Sequence, residues 1–242
     1  MHDYNFLLIT ASFVVAVMGS LIALITTRNA LKKPETERKG LIVLAALSLG
    51  GVGIWSMHFI GMLALDMHSL AMNYNWGLTI ASLVAAVFMV YIGLRIMSMG
   101  KFSYSKLVMA GILVGTGVVA MHYTGMLAME MQADIKWNWA IIAISIVIAV
   151  VASIVALWLA VNVSKMWQVV VSAFVMGVAV CGMHYTGMAA AEFLQNTSLT
   201  YVEPMGLSTN LFVLVIVGVD ALIVVIGMVT EMANANIQRM SQ

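Results

Sequence analysis

A hexapeptide of the form Met-His-x-x-Gly-Met occurs three times, as MHFIGM at Met57–Met62, MHYTGM at Met121–Met126 and MHYTGM at Met183–Met188. Successive copies are 64 and 62 residues apart. On a helix, His58 and Met62 lie one turn apart on one face, as do His122 with Met126 and His184 with Met188. Each pair offers an imidazole nitrogen and a thioether sulfur to a common point, with Met57, Met121 and Met183 about 100° round the helix as flanking groups. That ligand set is soft to borderline, and favours copper over calcium or magnesium. Zinc is the alternative metal, with three histidines and a water as its natural set. Gly61, Gly125 and Gly187 remove bulk beside the ligands and let helices approach closely. The competing reading is a metal-free polar network with methionine as core filler, since the chain has 22 methionines.

The match runs beyond the hexapeptide. An acid stands eight residues after each histidine, at Asp66, Glu130 and Glu192, and a glycine seven residues before it, at Gly51, Gly115 and Gly177. On regular helices the acids sit about 12 Å outward of the histidines, which assigns them to cation attraction, support of the ligands or helix-end anchoring. Tyr123 and Tyr185 can donate hydrogen bonds to a metal-bound ligand or to an outer acid, whereas repeat one has Phe59 and Ile60 in place of Tyr and Thr. Ser12, Ser82 and Ser145 recur at similar depth in the odd-numbered spans. The single histidines His2 and His68 read as ordinary surface residues.

The elements that position these residues are membrane helices. The 242 residues are 63% hydrophobic and 9% charged, with a net charge of +1, which excludes an ordinary soluble domain and gives no basic surface for nucleic acid. Cys181 is the only cysteine, so no intrachain disulfide or cysteine-based zinc site exists. Seven apolar runs are long enough to cross a bilayer: Phe6–Thr27, Gly40–Leu65, Trp76–Met97, Lys106–Met129, Trp137–Val161, Met166–Ala191 and Leu207–Thr230. Ten of the eleven basic residues fall on the side opposite the motifs, which predicts the N-terminus outside and the C-terminus in the cytoplasm. Trp55, Trp76, Trp137 and Trp139 read as interfacial tryptophans near the outer ends.

The expected fold is therefore an all-α polytopic protein of seven transmembrane helices: three tandem hairpins at about 6–66, 76–130 and 137–192, then a seventh helix at about 207–230. Together these form one sensory domain over 1–230, followed by a cytoplasmic tail or linker at 231–242. The histidines lie seven or eight residues inside the outer helix ends, about 10–12 Å deep, where an imidazole without a partner is costly. They are expected to face the bundle interior. Asp220 stands inside the seventh span and must be protonated or partnered there. It is read as a candidate signal relay or as a hydrogen-bonded lock for that helix. The sequence shows no nucleotide loop, paired acids or serine nucleophile, and the chain is read as a non-enzyme.

The three hexapeptides resemble the motif that names the MHYT domain of bacterial integral-membrane sensory proteins, and the resemblance covers nearly the whole chain. It implies a seven-helix domain of the bacterial inner membrane that signals to a cytoplasmic output module, such as a cyclic-di-GMP enzyme, in cis or on a partner protein. It further implies a sensor of a diatomic gas (O2, CO or NO) or of redox state. In that sensor His58, His122 and His184 would hold copper, with Met57, Met62, Met121, Met126, Met183 and Met188 as candidate co-ligands. A homodimer is compatible with this layout. The alternative function is a copper transporter or copper-handling membrane protein, which calls for ligands on both sides of the barrier or an alternating gate.

Overall fold

The computed structural model describes residues 4–65, 72–196 and 207–240. Seven helices are long and apolar enough to span a bilayer: α1 (Phe6–Leu31), α2 (Lys39–Leu63), α3 (Trp76–Ser98), α4 (Tyr104–Leu127), α5 (Trp139–Asn162), α6 (Met166–Ala189) and α7, whose helix runs Thr209–Met240. Each of the first six packs on its chain neighbour, and α6 returns to α1, so the ring closes in sequence order. The motif-bearing helices α2, α4 and α6 also touch one another at the centre. They are the three least apolar of the seven spans. Their histidines and close-packing glycines lower that hydropathy, and such residues belong on faces turned to protein rather than to lipid.

The motif-bearing helices end two residues earlier than the sequence suggests. Ala64, Ala128 and Ala190 are the C-terminal caps, and the carbonyl of each accepts a hydrogen bond from the backbone N–H of Asn5, Asn75 or Asn138 at 2.8, 2.8 and 2.7 Å. Those asparagines cap α1, α3 and α5 through their side chains, satisfying first-turn N–H groups that lipid cannot. The histidines accordingly lie five residues inside their helix ends, about 7–8 Å rather than 10–12 Å. Short strands close the same end: β1 (Asn73–Tyr74) pairs with β2 (Met129–Glu130) and β5 (Leu207–Ser208), and β3 (Ala133–Trp137) pairs with β4 (Ala191–Gln195).

Helix α2 departs from its two counterparts. Residues Leu47–Ser56 are π-helical, which places one extra residue in the turn before the first motif. The effect is visible in the close contacts. A methyl on Gly115 would meet Val150 Cα at 2.7 Å, and one on Gly177 would meet Val17 Cγ2 at 2.7 Å. In repeat one that place belongs to Gly50, facing Val87 Cα at 2.8 Å, while Gly51 makes only ordinary contact. Trp55 is likewise a core residue and not an interfacial one, because its indole N–H donates to Ser82 Oγ at 3.0 Å.

Candidate metal centre

The three motifs bring His58, His122 and His184 together on the bundle axis, all at most 1% exposed. His58 Nδ1 lies 3.0 Å from His184 Nδ1 and 3.1 Å from His122 Nδ1. One nitrogen of each ring falls within 4.8 Å of the other two. Among the described residues this is the one group of three such ligands.

The motif glycines explain how three rings fit. A methyl on Gly125 would lie 2.3 Å from His58 Nε2, one on Gly187 2.2 Å from His122 Nε2, and one on Gly61 2.4 Å from His184 Nε2. Each ring thus rests on the bare backbone of the next repeat, and the set closes cyclically. All three Nε2 atoms are buried without a hydrogen bond of normal geometry among the described residues.

A neutral imidazole carries one N–H. With the proton on Nε2, the Nδ1 lone pair of His58 faces those of His122 and His184 across about 3 Å. With a proton on Nδ1, one N–H···N bond forms, but that ring's Nε2 becomes a buried acceptor with no donor, a cost of about 1–3 kcal/mol. A cation between the Nδ1 atoms relieves the lone-pair repulsion and keeps each proton on Nε2, beside the glycine backbone of the next repeat. The spacings of 3.0 and 3.1 Å approach the ~3.3 Å edge of a tetrahedron with ~2.0 Å metal–nitrogen bonds. The donor set therefore fits a metal.

Met62, Met126 and Met188 are fully buried one turn outward of the histidines, and Met57, Met121 and Met183 are buried beside them. The tyrosines do not serve the rings or the acids. Ser145 Oγ donates to Ile142 O and Ser12 Oγ to Ile9 O, so Tyr123 and Tyr185 hydroxyls donate to those serines at 2.7 and 2.9 Å. Each bond joins a motif helix to the first helix of the next hairpin. At the third seam, Phe59 has no hydroxyl, and Trp55 makes the bond to Ser82 instead. The recurrent serines are thus inter-repeat anchors.

The acids stand away from the rings. Glu130 accepts from Asn75 Nδ2 at 3.0 Å, tying a helix cap to β2, and Glu192 pairs with Lys136 at 3.3 Å in the open between β3 and β4. Asp66, His2 and His68 lie outside the described residues. Above the rings sits an aromatic layer that the sequence reading missed. Tyr4 packs on Tyr185, Tyr74 on Phe59 and Trp137 on Tyr123, at centroid distances of 6.2, 5.5 and 5.6 Å. The dipeptides Tyr4-Asn5, Tyr74-Asn75 and Trp137-Asn138 were its signal, each just before an odd-numbered helix. Burial raises the Tyr4 and Tyr74 phenols above their ordinary range, so both remain hydroxyls.

Helix α7 fills the seam that lacks a tyrosine. Phe212 is buried against Phe59 and Tyr74, with centroids 4.9 and 4.4 Å apart. Two turns further along, Asp220 accepts a 2.7 Å hydrogen bond from Ser56, two residues before His58 and at the end of the π-helical stretch. Ser56 is the partner that the sequence left unidentified.

The family model described as "MHYT: Bacterial signalling protein N terminal repeat" matches residues 51–110, 115–173 and 177–236. The chain belongs to this family. MHYT units in the match begin on the motif-bearing helices, so α7 falls in the third unit. The chain is 38% identical over 196 residues to the bifunctional diguanylate cyclase/cyclic di-GMP phosphodiesterase MucR of Pseudomonas aeruginosa, covering 79% of this chain and 28% of that protein. It is 32% identical to the signaling protein YkoW of Bacillus subtilis (78% and 24%) and 31% identical to the cyclic di-GMP phosphodiesterase NbdA of P. aeruginosa (77% and 24%). The chain spans about a quarter of the length of these curated relatives. No solved structure matches it. This is a multi-pass membrane protein of a bacterial signalling family.

Proposed function

We propose that this MHYT protein is a sensory membrane domain in which His58, His122 and His184 hold one metal ion through Nδ1, copper in preference to zinc. The observation behind this reading is the convergence of three buried imidazoles, with His58 Nδ1 3.0 and 3.1 Å from the Nδ1 atoms of the other two. The thioethers of Met62, Met126 and Met188 are the protein groups one turn outward of the rings, and they favour copper. Bound copper would supply a coordination position open to O2, CO or NO, or a one-electron redox change. The chain's own part is to exclude water with the aromatic layer, to fix each ring on a glycine of the next repeat, and to pass a shift of the rings to α7.

The route for that shift is short. His58 lies two residues from Ser56, which is bonded to Asp220. At the other end of the bundle Asn29 donates to Glu231 at 2.5 Å. Asp220 and Glu231 are eleven residues apart, three helical turns, and share one face of α7. A ligand that favours one packing of the rings over another therefore acts on a helix held at two levels along one stripe. With the basic end in the cytoplasm of a bacterial inner membrane, α7 leads toward an output module that makes or degrades cyclic di-GMP, as the names of MucR and NbdA suggest.

The test is the absorption or paramagnetic spectrum of copper-loaded protein in nanodiscs, with α7 mobility followed by a spin label near Met232. CO or NO should alter both signals. An unchanged spectrum and an unchanged label would reject the sensor. Copper uptake into proteoliposomes would instead favour a transporter, although the described residues hold no second group of three His, Cys, Asp or Glu ligands along the bundle.

A further inference from the structure

One turn beneath the histidine layer, toward the basic end, the bundle holds a partly open cavity of about 30 Å³. Its wall includes Ile54, Val118 and Val180, each four residues before a motif histidine, so all three repeats contribute the same position. Ala149, Met176 and Met183 line it as well, and Ser153 is the single polar lining residue.

Two properties define what fits. An internal water needs two to four polar partners, and one serine hydroxyl cannot provide them, so the cavity is dry. Its volume is roughly twice the ~10–15 Å³ that one water-sized body needs, which suits two atoms and not a larger ligand. The remaining wall is thin. Ala152 and Ala156 of α5 and Ala179 of α6 line it and are only half-buried, so it lies open or nearly so to the lipid-facing side between small side chains. Nonpolar diatomic molecules dissolve in hydrocarbon, and this places their entrance in the bilayer core between α5 and α6.

We propose that this cavity is a binding site for a nonpolar diatomic molecule, distinct from the histidine centre and filled from the membrane interior. Binding there needs no metal. The delivery of the molecule to the triad rests on the reading of the triad as a metal centre, but occupancy of the cavity does not.

Xenon, an apolar atom of comparable size and higher polarizability, is the probe. Metal-stripped protein crystallised from lipid and pressurised with xenon should show an anomalous peak between Ile54, Val118 and Val180. Ala149→Leu, which adds three carbons to the wall, should remove the peak, and Met176→Ala, which enlarges the space, should keep or strengthen it. Folding of both variants is checked by their unfolding temperatures, and either variant alone suffices. No xenon in the wild type, or equal occupancy in Ala149→Leu, overturns the proposal and leaves the metal reading untouched. In metal-loaded protein, Ala149→Leu should keep its full metal content while the onset of the NO-induced spectral change slows. An unchanged onset in a variant that has lost xenon would overturn the delivery role.

Discussion

Replacing Gly187 by alanine tests the cyclic packing of the rings directly. The new methyl would stand 2.2 Å from His122 Nε2, against an ordinary contact of about 3.5 Å, so the ring must move by about 1 Å. Nothing flexible lies in the way, since the obstacle is a buried ring wedged against two others. Overpacking of this kind costs about 1–3 kcal/mol. Alanine's better helix propensity returns about 0.5–1 kcal/mol, so the net loss is about 0–2.5 kcal/mol. The larger effect falls on geometry, because a displacement of about 1 Å would break a ~2.0 Å bond to the proposed metal. Gly182, in the same helix, is the control, with nothing within 4 Å of an added methyl. Gly182→Ala should be neutral or stabilising by up to about 1 kcal/mol and should retain metal. The assay is thermal unfolding in nanodiscs alongside metal content per chain. If Gly187→Ala matches Gly182→Ala in both, the ring does not rest on that glycine and the reasoning fails.

Three further outcomes follow from the same contacts. Ser56→Ala leaves the Asp220 carboxyl without its partner and should loosen α7 by about 1–3 kcal/mol, read as faster hydrogen exchange along α7, whereas Asp220→Asn keeps an acceptor and should change little. Tyr123→Phe should lower stability by about 1 kcal/mol through loss of the Ser145 bond, while Phe59→Tyr should also destabilise by forcing a hydroxyl beneath Phe212; melting temperatures measure both. Glu192→Gln removes an exposed ion pair worth about 0–1 kcal/mol and should leave stability and metal content unchanged, which a role for that acid in holding the ion would not allow.

Much of this architecture was legible because hydropathy and a repeated hexapeptide report on different things. Apolar length marked the seven spans, and the equal placement of His58, His122 and His184 near the ends of alternate spans implied that they share a level. The pairing of partners was not legible, because it depends on which helix closes the ring. Tyr185 reaches Ser12 across 173 residues, and only the return of α6 to α1 makes them neighbours. The extra residue in α2 was invisible for a related reason. Gly50 and Gly51 are adjacent and identical in type, so only the π-helical backbone decides which one faces Val87. The departure at Phe59 looked like degeneration of the motif. It is the site where Phe212 docks, and a phenyl ring can be buried there without an orphaned hydroxyl.

The most direct measurement is metal content per chain of purified protein, wild type beside His58→Ala, His122→Ala and His184→Ala. One tightly held ion is expected in the wild type, and its loss in each of the three folded variants, if all three rings share one centre as proposed. A folded wild type that neither retains nor rebinds copper or zinc, or a single variant that keeps its full complement, would contradict that proposal.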